Sequence, residues 1–126
     1  MKKAVILFGH GARNAEWAEP FHRIRAAMEA AAPEVPVALG FLELMRPSLD
    51  ESIESLAGDG AKEITIVPIF VAGGSHVKKD LPRLAADAMD RHPGLLIGIA
   101  PPVGEAESVI AAMAAYALNA PAESGA

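Results

Sequence analysis

Four short, almost wholly apolar runs recur along the chain, each followed by a longer segment of helical period, and few folds accept that alternation. The runs cover residues 3–8, 35–42, 63–71 and 95–100, and turn-forming or charged residues bound them. Continuous apolar runs of this length suit strands buried on both faces, as in a parallel sheet. Between the first two, Trp17, Phe21, Ile24 and Met28 form one helical stripe, and Pro20 inside it predicts a kink or a short first turn. Pro47 precedes a capping box, Ser48 with Glu51, and opens a second helix with Leu49, Ile53 and Leu56 buried and a stop at Gly58 or Gly60. A third helix is expected with Asp80 as N-cap, Pro82 in the first turn, and Leu81, Leu84, Ala88 and Met89 facing inward. A fourth spans about residues 105–119 with Val109, Ile110, Met113 and Tyr116 inward. The order βαβαβαβα, closed by right-handed crossovers, predicts a three-layer α/β fold. It has a four-stranded parallel sheet in the flavodoxin-like order 2-1-3-4, with helices on both faces. One domain over residues 1–119 and a frayed tail over 120–126 complete the expectation.

Composition narrows the function. Acidic residues outnumber basic ones, 16 to 11, which argues against nucleic acid as the main partner. Cysteine is absent, so disulfides, thiolate zinc sites and cysteine-bound iron–sulfur clusters are excluded, and a reducing compartment is compatible. The first apolar run is too short for a signal-peptide core, and no run approaches the roughly 20 residues of a membrane span. The expectation is a cytoplasmic protein with no membrane partner.

In open parallel sheets, ligands gather beyond the carboxyl ends of the strands, where the strand order reverses. In the order 2-1-3-4 that point lies between strands 1 and 3. Gly9-His10-Gly11-Ala12-Arg13 follows strand 1, Glu43-Leu44-Met45-Arg46 follows strand 2, and Gly73-Gly74-Ser75-His76 leads to Lys78 and Lys79 after strand 3. Adjacent strands lie ~4.8 Å apart. His10 and His76 can therefore reach one metal ion at bond lengths of about 2 Å, and Glu43 can add a carboxylate. The structural alternatives are a loop histidine bonded to backbone for His10, a residue of the loop before the third helix for His76, and a polar strand end for Glu43. His22 reads as solvated, and His92 as a helix C-terminal residue favoured by the dipole. Arg13, Arg46, Lys78 and Lys79 fall on the same rim. Singly they are ordinary surface charge; together they suit a substrate with several carboxylates.

The motifs Gly-His-Gly-Ala-Arg at residues 9–13, Pro-Ile-Phe-Val-Ala-Gly-Gly-Ser-His at 68–76 with Asp80-Leu81-Pro82, and Pro-Pro-Val-Gly-Glu at 101–105 resemble the small sirohydrochlorin cobaltochelatases. These are class II chelatases of cobalamin and siroheme biosynthesis. The resemblance implies a chelatase-like half domain and ATP-independent insertion of a divalent metal substrate, Co²⁺ foremost with Fe²⁺ or Ni²⁺ as alternatives, into the tetrapyrrole sirohydrochlorin. It implies His10 and His76 as metal-binding and proton-accepting residues and Glu43 as a supporting carboxylate. With the rim residues Arg13, Arg46 and Lys78, Ser75 is expected to contact the substrate; the resemblance requires no organic cofactor and implies a homodimer, since larger relatives carry two such domains. The family usually has serine where this chain has Ala12.

The chemistry is compatible. Metallating the macrocycle removes two pyrrole N–H protons and transfers an ion, and neutral imidazole serves near pH 7 as both base and ligand. A site with two histidines and no thiolate stays open enough to release its metal. It does not select cobalt: Ni²⁺ and Cu²⁺ should bind at least as tightly. Two other readings stand beside this one. A phosphohistidine-type phosphatase would carry arginine immediately before the histidine, where this chain has Gly9. A non-catalytic metal- or tetrapyrrole-binding module would use the same ligands without turnover.

Overall fold

The computed structural model describes residues 2–122, the side chains of Ser75 and His76 excepted. Its elements run β1 (Lys3–Gly9), a 3-10 turn (Ala15–Ala18), α1 (Glu19–Ala31), β2 (Val37–Phe41), α2 (Leu49–Gly58), β3 (Glu63–Pro68), α3 (Ser75–Arg91), β4 (Leu96–Ile99), a second 3-10 turn (Val103–Glu105) and α4 (Glu107–Asn119). All strand pairings are parallel and the order is β2-β1-β3-β4, as the alternation of apolar runs requires. Strand β1 sits second in the sheet and pairs Val5 with Val37 on one side and with Thr65 on the other.

Side-chain alternation along β1 splits the core into two layers. Ala4, Ile6 and Phe8 point toward α2 and α3, where they meet Leu49, Ile53, Leu56, Leu81, Ala85 and Ala88. Leu7 points the other way, into a cluster with Phe21, Val37, Leu39 and Phe41 beneath α1. Helix α2 starts where the capping box predicts. The Ser48 hydroxyl accepts from the Glu51 N–H at 3.1 Å, and Glu51 accepts from the Ser48 N–H at 2.8 Å. Pro20 occupies the first turn of α1, and the 3-10 turn holding Trp17 precedes it, so the short-first-turn alternative is the one realised.

Two helices depart from expectation. Helix α3 starts at Ser75, with Gly74 rather than Asp80 as N-cap, which puts Pro82 inside the helix. Proline offers no N–H to the Lys78 carbonyl, so one rung of the ladder is missing. Pro82 is exposed while its neighbours Leu81 and Ala85 are buried, and that apolar anchorage carries the helix past the missing bond. Helix α4 has the expected extent but not the expected packing. Ile110, Met113 and Tyr116 are exposed, Val109 is half-buried, and no residue of the helix is buried. Its contacts run chiefly to the 3-10 turn before it rather than to the sheet. Strand β3 also stops at Pro68 instead of 71, and Val71 projects into solvent. Of the C-terminal tail, residues 123–126 lie outside the described part.

Ile53 has no exposed surface and joins α2 to the sheet. Ile53→Ala is expected to cost about 2–5 kcal/mol of unfolding free energy. Urea titration followed by circular dichroism measures it; a loss below about 1 kcal/mol would show that this layer does not carry the fold.

Candidate metal and ligand site

The turn after β1 is built by what its glycines omit. A Cβ on Gly9 would lie 2.5 Å from the Phe21 ring, because Trp17, Phe21 and Phe41 pack into one aromatic cluster, with centroids 5.1–6.1 Å apart, directly beneath it. Gly11 has φ +102°, and a Cβ there would come within 1.9 Å of the Glu43 carbonyl oxygen. Only glycine fits such a conformation and such an approach. The two loops are then stitched together: the Leu42 N–H donates to Gly9 O at 3.0 Å, and the Glu43 N–H to His10 O at 3.1 Å. Leu44, with φ 66°, sits in the left-handed region, which is costly for a branched side chain and marks the Glu43 turn as held by its surroundings.

This frame brings His10 and Glu43 together. His10 Nε2 stands 3.9 Å from Glu43 Oε2, and each side chain is about half exposed, 51% and 56%. The gap is too long for a hydrogen bond. It is just under the sum of two metal–ligand bonds, about 2 Å each for imidazole nitrogen and carboxylate oxygen. Among the described residues no group of three or more histidine or acidic side chains is placed to hold a metal ion. On the neighbouring strand the Ile69 N–H donates to Phe8 O at 2.9 Å, and the chain then runs through residues 70–74 into α3. His76 and Ser75 are the first residues of that helix; their side chains lie outside the described residues.

The other rim residues separate. Arg13 is exposed next to the glycine turn. Lys78 borders a small apolar cavity of about 150 Å³ at the ends of β3 and β4, with Phe70, Pro82, Ile99 and Pro102. Arg46 is engaged: its guanidinium pairs with both carboxylate oxygens of Glu51, Nε donating at 3.3 Å. This pairing, which a capping box alone did not announce, raises the Arg46 pKa above its ordinary value. The Arg46 hydrogen bond, followed by that from the Ser48 N–H, holds the Glu51 carboxyl down to about 2. Arg46 and Glu51 border a larger cleft of about 470 Å³ along the free edge of β2, with His22 and Arg25 of α1. Neither His10 nor Glu43 lines it, so the histidine–carboxylate pair occupies an open rim, not an enclosed pocket. The sequence reading missed the aromatic cluster under Gly9 and the strained Leu44; the paired glycines around His10 were the available signal for the first.

The fold is a parallel α/β sheet with a half-exposed histidine–carboxylate pair on its carboxyl rim. The chain belongs to the CbiX family, whose model matches residues 4–120. It is 39% identical over 83 residues to a sirohydrochlorin cobaltochelatase of Methanothermobacter thermautotrophicus, a match covering 66% of this chain and 57% of that protein. It is 31% identical over 123 residues to a sirohydrochlorin ferrochelatase of Bacillus subtilis, covering 90% and 43%. The chain thus spans well under two thirds of the length of these curated relatives. Among solved structures it is similar to a CbiX protein ascribed to cobalamin biosynthesis from Marinobacter aquaeolei VT8. The TM-score is 0.78 at 30% identity, with 92% of this chain and 94% of that one covered. It is also similar to the sirohydrochlorin chelatase SirB of Bacillus subtilis subspecies spizizenii in complex with cobalt. There the TM-score is 0.79 at 29% identity, over 95% of this chain and 51% of that one.

The Glu51 arrangement has a pH signature. Its folded pKa of about 2 lies below the ordinary 4.5, so the stability it contributes is complete above about pH 4.5 and fades as pH falls toward 2. The stability difference between the wild type and Glu51→Gln is expected to shrink on going from pH 5 to pH 3. Denaturant melts at both values measure it; a constant difference would mean the ion pair and cap do not persist in solution.

Proposed function

We propose that the chain is an ATP-independent chelatase that inserts Co²⁺ into sirohydrochlorin, with Fe²⁺ or Ni²⁺ as alternative metals. His10 and His76 hold the incoming ion and accept protons, and Glu43 assists. The observation that carries this reading is the 3.9 Å juxtaposition of His10 and Glu43 on an open rim, at the carboxyl ends of the neighbouring strands β1 and β2. The relatives named as cobaltochelatase and ferrochelatase support the substrate class. The metal enters as substrate. It forms bonds to macrocycle nitrogens as two pyrrole N–H bonds break, and the two protons pass to the imidazoles and on to water.

Openness is functional in this scheme. A closed four-ligand site retains its ion, whereas a site with few protein ligands can pass the metal to a four-nitrogen acceptor. Half-exposed side chains also leave room for a planar macrocycle to approach edge or face first. Arg13, Ser75 and Lys78 contribute to holding the substrate's carboxylates, and Arg46 does so only by giving up part of its pairing with Glu51. The protein acts in the cytoplasm as a homodimer; no helix among the described residues is long and apolar enough to cross a membrane.

The test is an absorbance assay of sirohydrochlorin metallation with Co²⁺, Fe²⁺ and Ni²⁺, each against a control without protein. Many turnovers per chain are expected; metal or pigment uptake that stops at one equivalent would identify a binding module instead. His10→Ala and His76→Ala should each lower the rate about 10²-fold or more, the usual scale for a proton-transferring group, with the circular dichroism spectrum unchanged. Glu43→Gln should have a smaller effect. Normal turnover by both histidine variants would refute the assignment.

A further inference from the structure

The Pro-Pro-Val-Gly-Glu run at residues 101–105 brings no ligand to the metal and substrate rim, yet it lies in close contact with the loop that leads to His76. Register explains its place. Strands β3 and β4 pair as far as Ile66 with Ile99, and the Ala100 N–H donates to Ile66 O at 2.9 Å. In a parallel ladder the next bond of this kind would run from residue 102 to Pro68 O, and Pro102 has no N–H to give. The bond after that one is made: the Gly104 N–H donates to Phe70 O at 2.9 Å. The spacing of the ladder thus continues past the ends of both strands, skips one rung at proline and resumes at Gly104.

Resumption requires a glycine. A Cβ on residue 104 would lie 1.8 Å from Val71 O and 2.4 Å from both Val71 C and Cα, backbone atoms that no change of rotamer moves aside. The fit is returned from the other loop, where a Cβ on Gly73 would come within 3.3 Å of Cγ in the Pro102 ring. Pro102 and Gly73 also border the cavity of about 150 Å³ that Val77 and Lys78 of α3 line, so the interlock reaches the start of that helix.

That start has little of its own to hold it. Helix α3 begins after Gly74 with no side-chain cap and no acidic residue in its first turn, and Lys78 is positive where the helix dipole favours a negative group. Pro82 removes the bond that would tie the Lys78 carbonyl to the next turn. A helix start without a cap, with an unfavourable charge and with a missing rung takes its position from what packs against it.

We infer that Gly104 is a positioning residue for metal insertion: with Pro102 it fixes the loop of residues 70–74 and, through that loop, the turn of α3 that carries His76. The inference rests on the role proposed above for His76. The His10 loop has a separate support in Gly11 and the Glu43 backbone, so the two imidazole-bearing loops are braced independently.

Hydrogen exchange read by mass spectrometry on the metal-free full chain tests the brace by itself. Gly104→Ala should speed amide exchange over residues 75–82 about tenfold or more and leave α2 unchanged. An equal rise in both regions means general destabilisation, and no rise means that the turn does not depend on residue 104; either overturns the proposal. Cobalt insertion tests what the brace is for. Gly104→Ala should lower kcat about 10²-fold, with KM for sirohydrochlorin little changed. Added to His76→Ala it should lower the rate no further, whereas added to Glu43→Gln it should lower the rate by its full factor. Full additivity in both backgrounds overturns the assignment to His76. Should Gly104→Ala fail to fold, Gly73→Val drives the loop off Pro102 without touching residue 104 and should give the same confined rise in exchange; its absence overturns the proposal as well. A wild type without turnover refutes the chelatase reading, and the exchange measurement still decides the brace.

Discussion

Burial of β1 on both faces is the constraint from which the rest follows. Its alternate residues enter two separate apolar layers, and both neighbours hydrogen-bond to it in parallel. A one-residue slip would exchange the layers and expel Phe8 or Leu7 from its cluster, so the register is strongly determined. That register places Gly9 level with Phe41 and Phe8 level with Pro68. Three chain segments must then leave the sheet at one level, and the residues that follow each strand become neighbours without any specific contact having to recruit them.

The site adds one demand to that geometry, close approach of two loops. The Glu43 carbonyl occupies the space where a side chain at residue 11 would begin, and the aromatic cluster occupies the space where one at residue 9 would begin. The imidazole between them is held by backbone on both sides while its own ring remains half exposed. In the proposed metal insertion a rigid support with an accessible donor has a use: the ligand would stay in place as the ion departs, and the acceptor could reach it. The strain at Leu44 belongs to the same device, since it turns the chain back immediately after the carboxylate residue.

Strand order, the capping box at Ser48 and the meeting of His10 with Glu43 were legible in the sequence because each rests on local pattern plus one topological rule. Periodicity located the elements, and the position of the order reversal located the rim. What escaped depended on competition between distant segments. Asp80 has the chemistry of an N-cap, and Pro82 favours a first turn. Yet the N-cap is Gly74, six residues earlier, since burial of Leu81, Ala85 and Ala88 outweighs one missing backbone bond. Arg46 read as a free cation for substrate. Its pairing with Glu51 follows from the way the loop after β2 folds back onto the start of α2, which charge counting does not reveal.

Helix α4 shows the limit of periodicity most clearly. Its stripe of Val109, Ile110, Met113 and Tyr116 predicts a buried face, and the structure leaves that face exposed. An apolar period states only that water is excluded from one side; the partner surface belongs to another part of the molecule or to another molecule. The Gly104 N–H donates to Phe70 O and fixes the root of the helix at the carboxyl end of the sheet, so the apolar period of α4 finds no cover among the described residues of its own chain.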